Sequence, residues 1–471
     1  QACSMIRRTK ISCTIGPATT SFQALKALYE AGMNVVRLNM SHADHATSLK
    51  IINWIKTLNR QIPYPIPILL DTQGPEIRTG VLANPMQLNT GDVVTLSVRD
   101  SELIEKKSIQ VNYRELVDVV DVGRIITVDN GLMNFKVLQK KEHQLTCEVI
   151  DGGTLGSRKH VNLPGVRVNL PAITAKDERD IQFGLANDVD FIALSFVRSP
   201  DDVAQLRKLL GKKQQSIKII AKIEDREGVN NIHDIVALSD GIMVTRGDLG
   251  IETDITDLPN IQRRLVHASA KGGVRCIVAT HLLESMIEHP IPTRAEVTDV
   301  ANAIYEGVDA VMLSGETSVG NYPVRCVEQL HKIAKNAERF SGLGYEKALT
   351  VNVDKQHVAV HAVALAEALN AKGIVVITRR GLTADFVTSA RPHSVPVFAF
   401  TNNSQTRRRL ALNRAVYAHR MAFSSDPEKT LQRAFDLLRE REGLTEACKL
   451  VVISDVLANQ PTEAIQIRNL I

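Results

Sequence analysis

Aromatic residues make up only 4% of this 471-residue chain, with a single tryptophan. So sparse a set argues against a surface that holds nucleic acid by stacking bases. Charge does not supply an alternative: the formal net charge is +5 and there is no Lys/Arg tail. The basic residues read as pockets for small anions, with no nucleic-acid partner. No apolar stretch reaches the ~20 residues needed to cross a bilayer, and no secretory signal pattern is visible. The six cysteines (Cys3, Cys13, Cys147, Cys276, Cys326, Cys448) are far apart and include no C-x-x-C. They read as reduced core thiols of a cytoplasmic protein, not as a zinc site or disulfides. No G-x-x-x-x-G-K-[ST] occurs, so any nucleotide must be held by metal ions and basic side chains. H-E-x-x-H and G-x-S-x-G are absent too.

What the chain does have is a set of short apolar runs that end in charged or hydroxylated residues. They are KISCTIG (10–16), NVVRLNM (34–40), IPILLDT (66–72), FIALSFV (191–197), KIIAKIE (218–224), GIMVTRGD (241–248), CIVATH (276–281) and DAVMLSGE (309–316). Their length and β-branched content suit buried parallel strands. A core strand has no packing reason to finish in Arg, Lys, Glu or Asp. Eight such runs suggest a (β/α)₈ TIM barrel with its active site at the C-terminal rim.

At this length two to four domains are expected. SFQALKALYEAG offers Ser21 as N-cap and Gly32 as C′ stop, and SPDDVAQLRKLLG offers Ser199, Pro200 and Gly211 in the same roles. After Asp71 the pattern becomes short strands and turns: VVTLSV, IITVDNG, FKVLQ and LTCEVIDGG. The expected division is a barrel of residues 1–75 and 174–341, an inserted β-barrel lid of 76–173, and a C-terminal α/β domain of 342–471. In that last region HAVALAEALNA reads as helix, and GIVVIT, VPVFAFT and LVVIS as strands.

Side chains two apart on a strand share a face. Lys222 and Glu224 therefore point together, as do Arg246 with Asp248, and Arg37 with Asn39 and Ser41. A bland reading has these as ion pairs that solvate the barrel end. Gathered on one rim over an apolar core, however, unpaired charges cost several kcal/mol each, which favours function. Glu224 and Asp248 at neighbouring strand tips suit Mg²⁺ (or Mn²⁺), and no His or Cys groups with them to suggest zinc. Lys222 could stabilise a transferring phosphoryl group, and Arg37 and Arg78 could hold phosphates. Thr280, a hydroxyl at the end of the seventh strand, could relay a proton or merely cap the next helix. In the C-terminal region Thr378, Arg379, Arg380, Gly381 and Thr383 form a strand-to-helix turn that reads as a phosphate cradle.

With these residues placed, the chain resembles the pyruvate kinase family. The resemblance runs through TKISCTIGPAT (9–19), VVRLNMSHAD (35–44), LLDTQGPEIRTG (69–80), IIAKIEDREGVNNI (219–232), SDGIMVTRGDLGIE (239–252), PTRAEVTDVANAI (292–304) and MLSGETSVGNYP (312–323). It implies transfer of a phosphoryl group from phosphoenolpyruvate to ADP, giving pyruvate and ATP. It further implies that Lys222 stabilises the transferring group, that Glu224 and Asp248 bind Mg²⁺, and that Gly247 offers its N–H to the substrate carboxylate. Thr280 would bind substrate and deliver the proton, Arg37 would face the phosphate, and Asn39, Arg78 and Lys159 would reach the nucleotide. Asn39, Ser41, Asp71 and Thr72 match the family's K⁺ ligands, and Glu76 stands where K⁺-dependent members have Glu.

The chain departs from the family pattern at Gln73, Asn130, Thr245, His281 and Arg380. Arg380 replaces a hydroxyl in the effector turn, and no Gly-rich closing loop is evident in SDVLANQPTEAIQIRNL (454–470). A sugar monophosphate or AMP is therefore the expected effector. A homotetramer is implied by the resemblance alone. Two rivals remain at this point. A lyase that binds a pyruvate enolate would not need Arg78 and Lys159, and a catalytically dead sensor would not need to keep every mapped side chain.

Overall fold

The eight apolar runs close into one parallel barrel in the computed structural model, which describes residues 6–98, 107–445, 447–454 and 464–470. In chain order the strands are Lys10–Thr14, Val35–Asn39, Ile68–Asp71, Phe191–Leu194, Lys218–Ile223, Gly241–Thr245, Arg275–Ala279 and Ala310–Leu313, the last pairing with the first. Alternation along each strand sends one set outward against the helices, such as Ile11, Val36, Leu70 and Ile192, and the other inward. The inward set begins with an apolar layer that includes Val35, Leu69, Phe191, Ile220, Met243 and Ile277. Leu412, from the C-terminal domain, plugs this layer from below. Two residues further along the strands, the inward positions become Arg37, Asp71, Lys222 and Thr245, all buried. The polar rim thus stands directly on the barrel's own hydrophobic floor, which fixes its members in place.

Helix ends obey local chemistry. Ser21 accepts the N–H of Ala24 at the start of Phe22–Ala31, and Gly32 closes that helix at φ 130, a conformation that favours glycine. In one place the sequence reading fails. Arg246 and Asp248 do not share a strand face, because the sixth strand ends at Thr245 and Arg246–Glu252 is helix. At ~100° per residue, positions two apart on a helix diverge, and Arg246 turns toward Asp299 while Asp248 turns into the rim.

The inserted region carries a six-stranded sheet built on the hairpin Met133–Lys141/Gln144–Asp151, and a two-stranded ribbon of Met86–Leu88 with Gly153–Leu155. Its two edges are joined by Ile77–Gly80. Gly80 N–H donates to Gln110 O and Asn112 N–H to Arg78 O on one side; Thr79 N–H donates to Lys159 O and Val161 N–H to Ile77 O on the other. The sheet closes into a barrel through this strap, around its own core of Phe135, Leu96, Ile126 and Val149. Among the described residues the C-terminal domain has five strands, where the sequence suggests three. Val416–Arg420 and Ile465–Asn469 are the additional ones, at the two edges of the sheet, where alternating polar residues mask the apolar signal. Residues 455–463 of the segment judged to lack a Gly-rich loop lie outside the described residues.

The candidate active site

Lys222 is the hub of the rim. It is 6% exposed, and its Nζ donates to Asp71 Oδ1 at 2.9 Å and to Ser195 Oγ at 2.9 Å, with Glu224 Oε1 at 3.3 Å. Asp71 is shared: its Oδ2 accepts from Arg37 Nε at 2.7 Å. Arg37 Nη1 donates in turn to Thr14 Oγ1 at 2.9 Å. Burial opposes the charged form of Asp71, but Arg37 and Lys222 outweigh it and hold its pKa below the usual carboxylate range. Burial likewise opposes the Lys222 ammonium, yet Asp71 and Glu224 raise its pKa above the ordinary lysine value. Two cations flank one buried carboxylate, and the Lys222 ammonium keeps its proton at neutral pH. Ser195 was not singled out from the sequence. Its signal was there, since it stands two residues beyond inward-facing Ala193 on the fourth strand.

Glu224 and Asp248 have the opposite electrostatics. Burial, with each other and Asp71 nearby, pushes Glu224 up to about 7. Burial, with Glu252 and Glu76 nearby, pushes Asp248 up to about 6, and its carboxyl is close enough to share a hydrogen bond with Glu224. Lys222 approaches Glu224 but does not neutralise the pair. Hard oxygen donors that are short of positive charge suit a Mg²⁺-like cation, with remaining positions left to water and substrate. Among the described residues no group of three or more His, Cys, Asp or Glu side chains is arranged to hold a metal ion by itself, so Glu224 and Asp248 would share a bound cation with water and substrate.

A pH prediction follows from these directions. Both carboxyls have folded pKa values above their unfolded ones of 4.5 and 3.8. The metal-free folded protein therefore holds extra protons between about pH 4 and 7, and that stabilising contribution is lost as pH rises through the window. His331, lowered to about 4 mainly by burial, acts the other way in the same range, so the metal-dependent part is diagnostic. Mg²⁺ binds the deprotonated pair. Thermal melts with and without MgCl₂ should show a clearly larger Tm gain at pH 7.5 than at pH 5; an equal or reversed gain contradicts the metal assignment.

Thr280 is held in a left-handed conformation, φ 73, followed by His281 at φ 55. For a β-branched residue this is an outlier costing roughly 1–3 kcal/mol, so its surroundings must enforce it. Arg246 does so: its Nη2 and Nε donate to the Thr280 carbonyl at 2.7 and 3.2 Å, while Nη1 is anchored on Asp299 Oδ1 at 2.6 Å. Thr280 Oγ1 donates to Ala279 O at 2.6 Å and accepts from Gly247 N–H at 2.7 Å. The N–H assigned by resemblance to a substrate carboxylate thus rests on Thr280 here. A Cβ on Gly247 would lie 3.5 Å from that same hydroxyl.

A cleft of about 1190 Å³ opens over the rim. Arg37, Asn39, His42, Asp248, Thr280 and His281 line it from the barrel, and Asn130 from the lid. Lys222 and Glu224 are not lining residues but connect to it through Arg37 and Asp248. Arg78 and Lys159 stand further out, on the lid. Arg78 Nε donates to Glu76 Oε2 at 2.6 Å and Nη1 to Arg158 O at 2.8 Å, and Lys159 Nζ is 3.2 Å from Asp129 beside Asn130. The lid is tied to the rim helix by Asn162 Nδ2, which donates to Glu252 Oε1 at 2.7 Å. The oxygen donors Asn39, Ser41, Asp71 and Thr72 are neighbours: Asn39 and Asp71 pair across adjacent strands, and Ser41 N–H donates to Asn39 Oδ1 at 3.2 Å. Glu76 accepts from Gln73 and Arg78.

The C-terminal turn lies far below the rim, in the domain that plugs the barrel floor. Thr378 Oγ1 accepts the N–H of Gly381 at 3.0 Å, and Gly381, at φ 87, leads into the helix Leu382–Ser389. The Arg379 guanidinium sits over the Phe423 ring, and the buried Thr383 Oγ1 has no hydrogen-bond partner. The described cysteines are free, and Cys13, Cys147, Cys276 and Cys326 are buried. Among the described residues no helix is long and apolar enough to cross a membrane.

Comparison with known proteins gives one result throughout. Residues 6–327 match the family model described as pyruvate kinase, barrel domain, and 356–467 that described as pyruvate kinase, alpha/beta domain. The chain is 40% identical to plastidial pyruvate kinase 2 of Arabidopsis thaliana, over 98% of this chain and 81% of that one. It is 39% identical to the pyruvate kinase of Clostridium perfringens, over 93% and 94%. A crystal structure of a pyruvate kinase from Cryptosporidium parvum superposes with a TM-score of 0.92 at 35% identity, covering 98% and 96%.

Proposed function

The chain belongs to the pyruvate kinase family of phosphotransferases, and we propose that it moves the phosphoryl group of phosphoenolpyruvate to ADP in the cleft above Lys222. The observation that carries this reading is the convergence of Lys222 and Arg37 on one buried carboxylate beside the cation-poor pair Glu224 and Asp248. In the reaction the bond from phosphorus to the enol oxygen breaks and one from phosphorus to a terminal ADP oxygen forms. The enolate left behind then takes a proton at its methylene carbon to become pyruvate. Lys222 and Arg37, fixed by Asp71, present positive charge where the phosphoryl group passes. Thr280, clamped by Arg246, presents its hydroxyl for proton delivery. Asn39, Arg78 and Lys159 hold nucleotide phosphates when the lid is engaged. Glu224 and Asp248 would hold Mg²⁺ or Mn²⁺, which supplies Lewis-acid stabilisation of the enolate and phosphoryl oxygens. The test is ATP formation from phosphoenolpyruvate and ADP with Mg²⁺; no ATP would refute the reading.

The same reading includes a K⁺ site at Asn39, Ser41, Asp71 and Thr72, supported by their adjacency at the ends of the second and third strands. Replacing K⁺ by tetramethylammonium at constant ionic strength should lower the rate, and an undiminished rate contradicts the site. It also includes a sugar monophosphate or AMP effector at the turn Thr378, Arg379, Arg380, Gly381 and Thr383, supported by the open Thr383 hydroxyl. Homotetrameric assembly comes from family membership. The reduced thiols support a cytoplasmic location, while two of the plant relatives are plastidial or chloroplastic by name.

A further inference from the structure

At the end of the barrel opposite the catalytic rim there is a second cavity, of about 310 Å³. Its walls are the chain just before the first strand, the end of the helix Pro323–Ala337, and the C-terminal domain. Four guanidiniums border it: Arg8, Arg391 and Arg414, with Arg339 at its exposed edge. Arg391 is matched, with Nη2 on Asp309 Oδ2 at 2.6 Å and Nη1 on Oδ1 at 3.1 Å. Arg8 and Arg414 are not. Arg414 is 6% exposed, donates from Nη1 to the Pro392 carbonyl at 3.0 Å, and has no acceptor for its buried Nε–H. Arg8 donates from Nη2 to the Glu338 main-chain carbonyl at 2.5 Å, and its buried Nε–H also has no acceptor. These bonds go to carbonyls, not carboxylates.

The nearby acids face other partners, with one carboxylate oxygen, Glu306 Oε2, left without one. The Glu338 carboxylate accepts the N–H groups of Arg8 and Thr9. Glu346 lies 3.2 Å from His393. Asp309 takes Arg275, Arg391 and the N–H groups of Cys276 and Arg414. Glu306 accepts from Gln262 and Asn302 on Oε1, its buried Oε2 has no partner, and burial raises its pKa to about 7, which favours the neutral acid. Burial lowers Arg414 to about 10, Glu338 opposing this and Arg8 and Arg391 adding to it. A buried cationic N–H without an acceptor is costly. The guanidiniums of Arg8 and Arg414 border the cavity without a carboxylate partner, and their terminal nitrogens can donate to an oxyanion bound there. Two guanidiniums without carboxylate partners favour a dianion over a single carboxylate, and the volume lies at the lower end of small-ligand pockets, roughly 300–1,000 Å³.

We propose that this cavity binds a phosphate dianion, free or as a small phosphate monoester, between Arg8 of the barrel and Arg414 of the C-terminal domain. The site is distinct from the rim cleft and from the turn at 378–383, and its ligand joins the two domains.

The test is isothermal titration of the full chain in an Arg380→Ala background, which removes the cation of the other candidate phosphate turn. One arm uses inorganic phosphate and the other ribose 5-phosphate. We expect saturable binding of one ligand per chain. Tighter binding of the ester identifies a monoester site, and equal binding identifies a free phosphate site. Adding Arg8→Gln, at a half-buried position away from the catalytic groups, should weaken binding at least about tenfold. A thermal melt of that variant confirms that it remains folded. Arg8→Lys, which keeps the charge but loses the planar fork of donors, should weaken it as well. No saturable binding to the Arg380→Ala protein, or binding that Arg8→Gln leaves unchanged, overturns the proposal.

Discussion

Lys222→Met is expected to lower kcat by at least about 10³, the scale of charge-stabilising groups in phosphoryl transfer. The ammonium is not an exposed charge that solvent could replace. It is fixed by Asp71, Ser195 and Glu224 at 2.9–3.3 Å, and its raised pKa keeps it protonated throughout the neutral range. Methionine fills similar volume and leaves Asp71 paired with Arg37, so the polar layer retains one of its two cations. Phosphoenolpyruvate affinity should change much less than turnover, because the lost interaction belongs to the charge that develops during transfer. Steady-state kinetics on the purified variant check this. Near-normal turnover would remove Lys222 from the chemistry.

Glu224→Gln is expected to have the second-largest effect. Loss of a ligand that positions a Lewis acid costs several kcal/mol, and at 1.36 kcal/mol per tenfold that is about 10²–10³ in kcat. A second readout separates a metal role from a structural one. In the metal-free protein Glu224 is forced up to about 7 by burial and by the neighbouring acids Asp248 and Asp71. Glutamine has nothing to ionise, so the metal-free variant should melt at pH 7.5 no lower than the wild type. Its Tm gain on adding MgCl₂ should disappear. A variant that unfolds readily yet keeps its Mg²⁺-dependent gain would mean that Glu224 holds the barrel together and not the ion.

Much of this site can be read from the linear chain, for a physical reason. Strands of a buried parallel barrel are unbroken apolar runs, so a charge at the end of one stands out. The period of two then groups Lys222 with Glu224, and Arg37 with Asn39 and Ser41, without coordinates. What could not be read depends on tertiary contact or on a change of backbone state. Arg246 was assigned to a strand face because nothing in TRGD marks the switch to helix at that residue. It acts instead as the clamp that keeps Thr280 left-handed. The resemblance alone implies a K⁺ role for Asp71, and its place between Arg37 and Lys222 emerges only when three strands are side by side. The strap Ile77–Gly80 closes the lid by pairing with two distant segments. The open guanidiniums of Arg8 and Arg414 are 406 positions apart and meet only where the two domains touch.

The central claim is spatial: an ammonium and a divalent ion act on one reactant above the barrel floor. A crystal structure with Mn²⁺ and oxalate, a planar dianion shaped like the enolate, tests it most directly. The anomalous signal should place the metal on carboxylate oxygens of Glu224 and Asp248 at roughly 2.0–2.2 Å, with oxalate on the metal and Lys222 Nζ within about 3 Å of the anion. A metal bound elsewhere, or oxalate out of reach of Lys222, would contradict it.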